Sequence, residues 1–356
     1  MFFWYKNCLV IRYKSLNAMG FPLGGGVYYG VVHEHFSKVP VTIVGGFLGA
    51  GKTTTINYIL SNFTGKEVDV LVREYGAVAI DDKLIDLKKE NIHVFTRGSI
   101  HQDPQLLLYD YLHHLHHEKA EAGFEHLIME ASGLDIPEYL IQLFFLGHLP
   151  YQYRLGSYIA LVDAEYGHLN LDEFRVAREQ VAYADVILIN KVDLADENTI
   201  ERLRERLGRI NSIARIYPTT YGQVDIDKVL DISLYEQLKN LKQVSYAGKD
   251  ENIMDDIRTV VLTENRPMDK KKVNKWIQNL FDTRGLNILR SKGFFYFADD
   301  DYRYEFQAVR KTFSSKADHI WQEDEERKSV VVLIGRELTD AEELQESFSS
   351  CVASNE

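Results

Sequence analysis

Between residues 39 and 217 short apolar runs alternate with longer stretches in which apolar residues return every third or fourth position. The runs at 41–44, 68–73, 92–96, 127–130, 157–162, 186–189 and 215–217 are rich in Val, Ile and Leu, and each is predicted to be a strand. The segments between them have helical spacing. One helix starts after Gly51. Another is opened by Asp103-Pro104, where the aspartate can cap and the proline takes the first helical position, and it runs to about residue 119. Two more are predicted at 137–145 and 197–207. Strands that are apolar on both faces, each followed by a helix, predict a mostly parallel sheet with helices on both faces, an α/β fold.

The pattern changes beyond residue 234. Residues 237–256 are polar and read as a connector. Strand-like runs then fall at 258–262, 294–297, 302–309 and 330–334, while Asp269 caps a helix whose apolar face is Val273, Trp276, Ile277 and Leu280. Thr339 and Glu342 are spaced as a capping box for a final helix. A small α+β domain is expected here. Residues 1–38 resemble neither unit; the glycine-rich part at 20–30 reads as a linker, with Met19 as a second candidate start. The expected organisation is an N-terminal extension without assigned role at 1–38, a nucleotide-binding domain at 39–235, a connector at 236–256 and a C-terminal domain at 257–352.

The first apolar run leads straight into Gly45-Gly46-Phe47-Leu48-Gly49-Ala50-Gly51-Lys52-Thr53-Thr54. Gly46, Gly51, Lys52 and Thr53 fill the phosphate-loop pattern between a strand and a helix. Glycines let the backbone curl until its N–H groups face phosphate oxygens, and the following helix adds its positive end. Lys52 is expected to reach the terminal phosphates and Thr53 to ligate magnesium. Asn190-Lys191-Val192-Asp193 directly follows another buried strand, the N-K-x-D arrangement in which an aspartate accepts from guanine N1–H and its 2-amino group. Strand C-termini are where ligands sit in such sheets, so GTP is the expected nucleotide. Glu130, closing the strand at 127–130, stands where a magnesium-organising acid belongs, and the Gly133 amide can sense a γ-phosphate. Arg73-Glu74-Tyr75-Gly76 through Asp81-Asp82 is placed as a switch loop, with Glu74 and Asp81 as candidate metal or water partners.

Composition narrows the classes. A net charge of −12 argues against nucleic acid or an anionic membrane as partner. Cys8 and Cys351 give no disulfide framework and no CxxC zinc site, which suits a reducing cytoplasm. No apolar run is long enough to span a membrane, and the aromatic start, broken by Lys6, Asn7, Arg12 and Lys14, does not read as a secretory signal.

Taken together, residues 45–54, 130–137, 190–193 and Thr220-Tyr221-Gly222-Gln223-Val224-Asp225 resemble the CobW-like family of P-loop GTPases. Gly293-Phe294-Phe295, residues 321–324 and Ile334-Gly335-Arg336 are similar to that family's C-terminal domain, so the resemblance covers about 39–351. It implies GTP hydrolysis with magnesium, coupled to handling zinc or cobalt for a client protein docked through the C-terminal domain. Two departures stand out. Arg73 and Tyr75 replace the first and third residues of the family's N-E-F-G sequence, and its C-x-C-C motif falls at Ser99-Ile100-His101-Gln102, where there is no thiolate. His101 is the one candidate transition-metal ligand left there, which leaves a second reading open, a GTP-gated interaction protein without a transition metal. His113 and His117 share i, i+4 spacing, but Leu108, Leu112 and Leu115 mark the buried stripe and put both histidines on the solvated face. The acidic runs at 299–301 and 323–326 read as solvated turns, with a basic client surface as the alternative.

Overall fold

The computed structural model describes residues 2–5, 8–11, 38–63, 67–74, 91–96, 103–119, 125–230, 232, 234–239, 241 and 256–354. Two strands, β1 (Phe2–Tyr5) and β2 (Cys8–Ile11), come first. The α/β unit follows with β3 (Val39–Gly46), α1 (Lys52–Asn62), β4 (Val68–Glu74), β5 (Ile92–Thr96), α2 (Pro104–Lys119), β6 (His126–Glu130), α3 (Pro137–Leu143), α4 (Leu149–Gln152), β7 (Tyr153–Asp163), α5 (Gly167–Glu173), α6 (Arg175–Ala182), β8 (Val186–Asn190), α7 (Glu197–Ile210), β9 (Arg215–Thr219) and α8 (Leu234–Leu238). The remainder is β10 (Ile257–Glu264), α9 (Lys270–Arg284), β11 (Ile288–Phe295), β12 (Tyr302–Val309), β13 (Thr312–Ile320), β14 (Ser329–Arg336) and α10 (Ala341–Ser349).

The first sheet is parallel, in the order β5-β4-β6-β3-β7-β8-β9. Its central strands β3, β6, β7 and β8 are buried on both faces almost throughout, which is why they read as unbroken apolar runs, while the edge strands β5 and β9 are half-buried. On β3, Val44 packs with Ile56 and Ile59 of α1, while Val41 and Ile43 pack on the other face with residues of α2, α3, α6 and α7. Strand order reverses beside β3, so the loop after it opens at the switch point of the sheet.

The second sheet is antiparallel, in the order β1-β2-β13-β12-β11-β14-β10. The described part of the expected N-terminal extension thus forms a hairpin on its edge. One face of this sheet buries α9 and α10; the other contributes Val261, Leu289, Phe294, Val330 and Val332 to the same core that fills one face of the parallel sheet.

Several expectations change. β7 starts at Tyr153 rather than 157, because a register shift opposite Val41/Thr42 accommodates an irregularity at Gly156. β13 was not expected; only Ser315 is buried on it, so it lacks an apolar signature. α10 has Asp340 at its N-cap position with no side-chain capping bond, in place of the Thr339/Glu342 box, and the Asp340 carboxylate is gripped by both terminal nitrogens of Arg284. α8 crosses the expected boundary at 235/236. The acidic runs are not simply solvated: Asp300 accepts from Lys270 and the Tyr304 hydroxyl, and Glu325 lies 2.6 Å from Arg303. Asp103 and Asp269 cap as expected, accepting from the amides of Gln105 and of Lys271 and Lys272.

β11 is the instructive case. Arg290 and Lys292 hide it in the sequence, yet all of its residues are buried. Both cations reach across to Asp185, which precedes β8, with Arg290 Nη2 at 2.9 and 3.0 Å from its two oxygens. The same carboxylate accepts from the Tyr158 amide at 2.8 Å. Burial works against ionising Asp185, but Arg290 and Lys292 overcome it and hold the carboxyl at about 2, below its ordinary 3.8.

Because the folded-state value is depressed, this carboxylate's contribution is complete above pH 4 or so and is lost as pH falls through about 2. Asp185→Asn strands two buried cations and is expected to destabilise the fold by about 3–5 kcal/mol. Its acid unfolding should be flatter than wild type between pH 4 and 2, as read by denaturant titration at several pH values; parallel profiles would contradict the assignment.

Candidate nucleotide site

The loop from Phe47 to Gly51 turns tightly at the C-terminal end of β3. Gly46, Gly49 and Gly51 adopt φ values of 137°, 74° and 100°, conformations that L side chains rarely adopt. A Cβ on Gly51 would also lie 2.4 Å from the Asn190 amide nitrogen. The turn is closed by the Ala50 amide donating to the Phe47 carbonyl at 3.2 Å, and Thr54 is exposed in the first turn of α1. Lys52 folds back over the loop, its ammonium donating to the carbonyls of Gly46 at 3.0 Å and Phe47 at 3.3 Å. Burial lowers its pKa, while Glu130 and Asp135 pull the other way.

Thr53 Oγ1 donates to Glu130 Oε1 at 2.8 Å, which brings together the two expected magnesium ligands from 77 residues apart. Hard oxygen donors beside a phosphate cradle suit magnesium. Beyond Glu130, Gly133 packs so closely on Leu48 that a Cβ would lie 2.6 Å from that side chain, so this loop rests directly on the phosphate loop. Asp135 holds the loop's shape, accepting from the Ser132 amide at 2.8 Å and from Arg73 Nη1 at 3.0 Å. Gln180 on α6 donates to the carbonyls of Gly133 and Asp135.

The residues expected to receive the base follow β8. Asn190 Nδ2 donates to the Ala50 carbonyl at 2.9 Å, and its Oδ1 accepts from the Gly222 amide at 2.9 Å and the Thr219 hydroxyl at 3.1 Å. Lys191, with φ of 62°, pairs with Asp163 at 2.7 Å. Asp193 is exposed in a short 3-10 turn. Phosphate loop, Glu130, Gly133, Asn190, Lys191 and Asp193 therefore share one edge of the sheet.

Residues 40–218 match the CobW/HypB/UreG nucleotide-binding domain, and residues 257–352 match the cobalamin synthesis protein cobW C-terminal domain. The chain belongs to the CobW family. It is 34% identical to the zinc chaperone YjiA of Escherichia coli over 88% of this chain and 98% of that protein. It is 28% identical to the zinc-regulated GTPase metalloprotein activator 1 of Schizosaccharomyces pombe over 84% of this chain and 83% of that protein. Among solved structures it superposes on zinc-bound YjiA GTPase from E. coli with a TM-score of 0.65 at 32% identity, covering 89% of this chain and 100% of that one.

For a CobW-family chain, three site residues carried no sequence signal strong enough to single out. Asp163 fixes Lys191, and its place at the C-terminal end of a buried strand was the available clue. Asp135 and Gln180 shape the Gly133 loop. Glu74 ends β4, but its side chain lies outside the described residues, as do Asp81 and His101. His113 differs from expectation: it is half-buried against α4, its Nδ1 3.0 Å from Gln152 Oε1, and the ring of His148 stacks on it with centroids 5.5 Å apart. The Gln152 amide nitrogen is 3.4 Å from His117 Nε2, so the amide lies between the paired histidines. Among the described residues no group of three His, Cys, Asp or Glu side chains is arranged to hold a metal ion.

Lys52→Ala is expected to weaken GTP binding with or without magnesium, if the ammonium meets phosphate directly. Thr53→Ala should do so chiefly with magnesium, if its hydroxyl acts through the ion. Equal losses for the two variants in EDTA, measured by nucleotide titration, would contradict these roles.

Proposed function

We propose that this chain binds GTP with magnesium, hydrolyses it to GDP and phosphate, and couples the cycle to handling zinc or cobalt for a client protein docked through the C-terminal domain. The observation that carries the reading is the meeting of Lys52 and the Thr53–Glu130 pair with Asn190, Lys191 and Asp193 on one edge of a parallel sheet. Family membership and the GTPase and zinc-chaperone names of its relatives support it.

In this reading the amides of residues 46–54 cradle the phosphates and Lys52 moves from its own loop's carbonyls to the β- and γ-phosphates. Thr53 and Glu130 would hold magnesium, which would supply charge to offset that of the phosphates. Gly133 would meet the γ-phosphate, and Glu74, which ends β4, is the candidate for ordering the attacking water. Asp193 receives the guanine edge while Lys191, aligned by Asp163, lies along the base. Donors fixed before the reaction stabilise developing charge without reorganising, the main source of rate in phosphoryl transfer. No helix among the described residues is long and apolar enough to cross a membrane.

A second reading follows from Ser99, His101 and Gln102. Hydroxyl and amide groups are poor zinc ligands and one imidazole leaves most of a tetrahedral shell to water. A GTP-gated interaction protein without a transition metal is the alternative, and metal titration separates the two: zinc binding to the GTP-bound protein should be no tighter than micromolar and should not stimulate hydrolysis. A stoichiometric nanomolar site abolished by His101→Ala would restore metal delivery in full.

Guanine selectivity is tested at Asp193. Asp193→Asn is expected to weaken GTP binding by about 1.5–3 kcal/mol, the range for a charge-assisted hydrogen bond, and to improve binding of xanthosine triphosphate. Equal affinity of the wild type for ATP and GTP in competition would sink the assignment.

A further inference from the structure

The geometry points to Arg73 as a catalytic residue of this site, a guanidinium supplied from within the chain to the γ-phosphate. The inference rests on the GTPase reading above and adds a group to it.

Arg73 lies at the C-terminal end of β4. Val72 is in register with Glu130 on β6, so Arg73 stands one residue further toward the open edge, level with the start of the Gly133 loop. Its guanidinium is turned toward that loop, with Nη1 3.0 Å from Asp135 Oδ2, and it is 12% exposed. Asp135 and Glu130 are the two carboxylates that act on the Lys52 ammonium, so the arginine's anchor belongs to the charge cluster around the phosphate-binding lysine.

Arg73 is held by fewer bonds than the forked arginine pairs of this chain. Arg266 and Arg284 each engage a carboxylate with two nitrogens on its two oxygens, the fork geometry typical of structural pairs. Arg73 gives Asp135 a single Nη1 bond, and its buried Nε has no hydrogen-bond partner among the described residues. A shielded cation with uncommitted donors is unfavourable unless something else takes them. A phosphate oxyanion has the charge and the paired acceptor oxygens for it.

In the step itself water oxygen bonds to the γ-phosphorus as the bond to the β–γ bridging oxygen breaks. That electron pair stays on the bridging oxygen, now part of GDP. One water proton remains on the phosphate and the other goes to solvent. Arg73 neither gives nor takes a proton; it offsets the charge on the γ-oxygens while Asp135, released from it, keeps the Ser132 amide.

The rival is a purely structural latch on the Gly133 loop, and full-length protein distinguishes the two. Under single-turnover conditions, Arg73→Ala is expected to lower the hydrolysis rate by about a hundredfold or more, in the direction known for arginines that act on the γ-phosphate. Affinities for GDP and GTP should stay within about threefold of wild type, which also reports that the variant is folded. Binding of GDP with aluminium fluoride should be lost, Arg73→Lys should recover part of the rate, and added guanidinium ion should partly rescue Arg73→Ala. A rate within threefold of wild type, or lost nucleotide affinity with the bound rate intact, overturns the proposal and leaves the GTPase reading standing. No hydrolysis by the wild type would overturn both.

Discussion

The side-chain amide of Asn190 joins three segments that lie far apart in the chain. It donates to Ala50 in the phosphate loop and accepts from Thr219, the last residue of β9, and from Gly222 beyond it. An apolar side chain there would strand a buried amide and a buried carbonyl, at about 1–3 kcal/mol each. It would also remove the tie between the glycine-rich loop and the strand that leads into Lys191 and Asp193. Gly51 is part of the same constraint, since the amide occupies the space a Cβ would need. One residue thus ties the phosphate loop to the strand that leads into Lys191 and Asp193.

The strand that ends at Asn190 is preceded by Asp185, so β8 carries the base end of the site at one end and the domain interface at the other. Arg290 and Lys292 converge on Asp185, and an apolar core continuous from one sheet to the other surrounds them. The Gly133 loop is joined to the second sheet as well. Gln180 holds the loop's carbonyls, and its neighbour Glu179 takes Arg336 at 2.6 Å; Glu138, on the helix after the loop, takes Arg310 at 2.9 Å. Both routes run through ion pairs with little exposure, where charge interactions are screened least.

Each of these pairs is expensive to form from water and strongly destabilising to break, so they specify how the domains meet more than they add to stability. The hydrophobic contact of the sheets supplies attraction without direction. Asp185, Glu138 and Glu179 supply the direction.

The sequence by itself determined the α/β class, the phosphate loop, the N-K-x-D segment and Glu130, because each depends on local spacing: a buried strand, a turn that needs glycine, a helix start. It also determined the caps at Asp103 and Asp269, which act within one helical turn. What it could not carry were features whose cause lies elsewhere in the chain. β11 is legible only once Asp185 is known to neutralise Arg290 and Lys292, and β13 only once its neighbours in the sheet are placed. His113 reads as solvated until α4 brings Gln152 and His148 against it. The single-handed grip of Arg73 on Asp135 exists only because β4 and β6 are adjacent, an adjacency fixed by strand order and not by any motif.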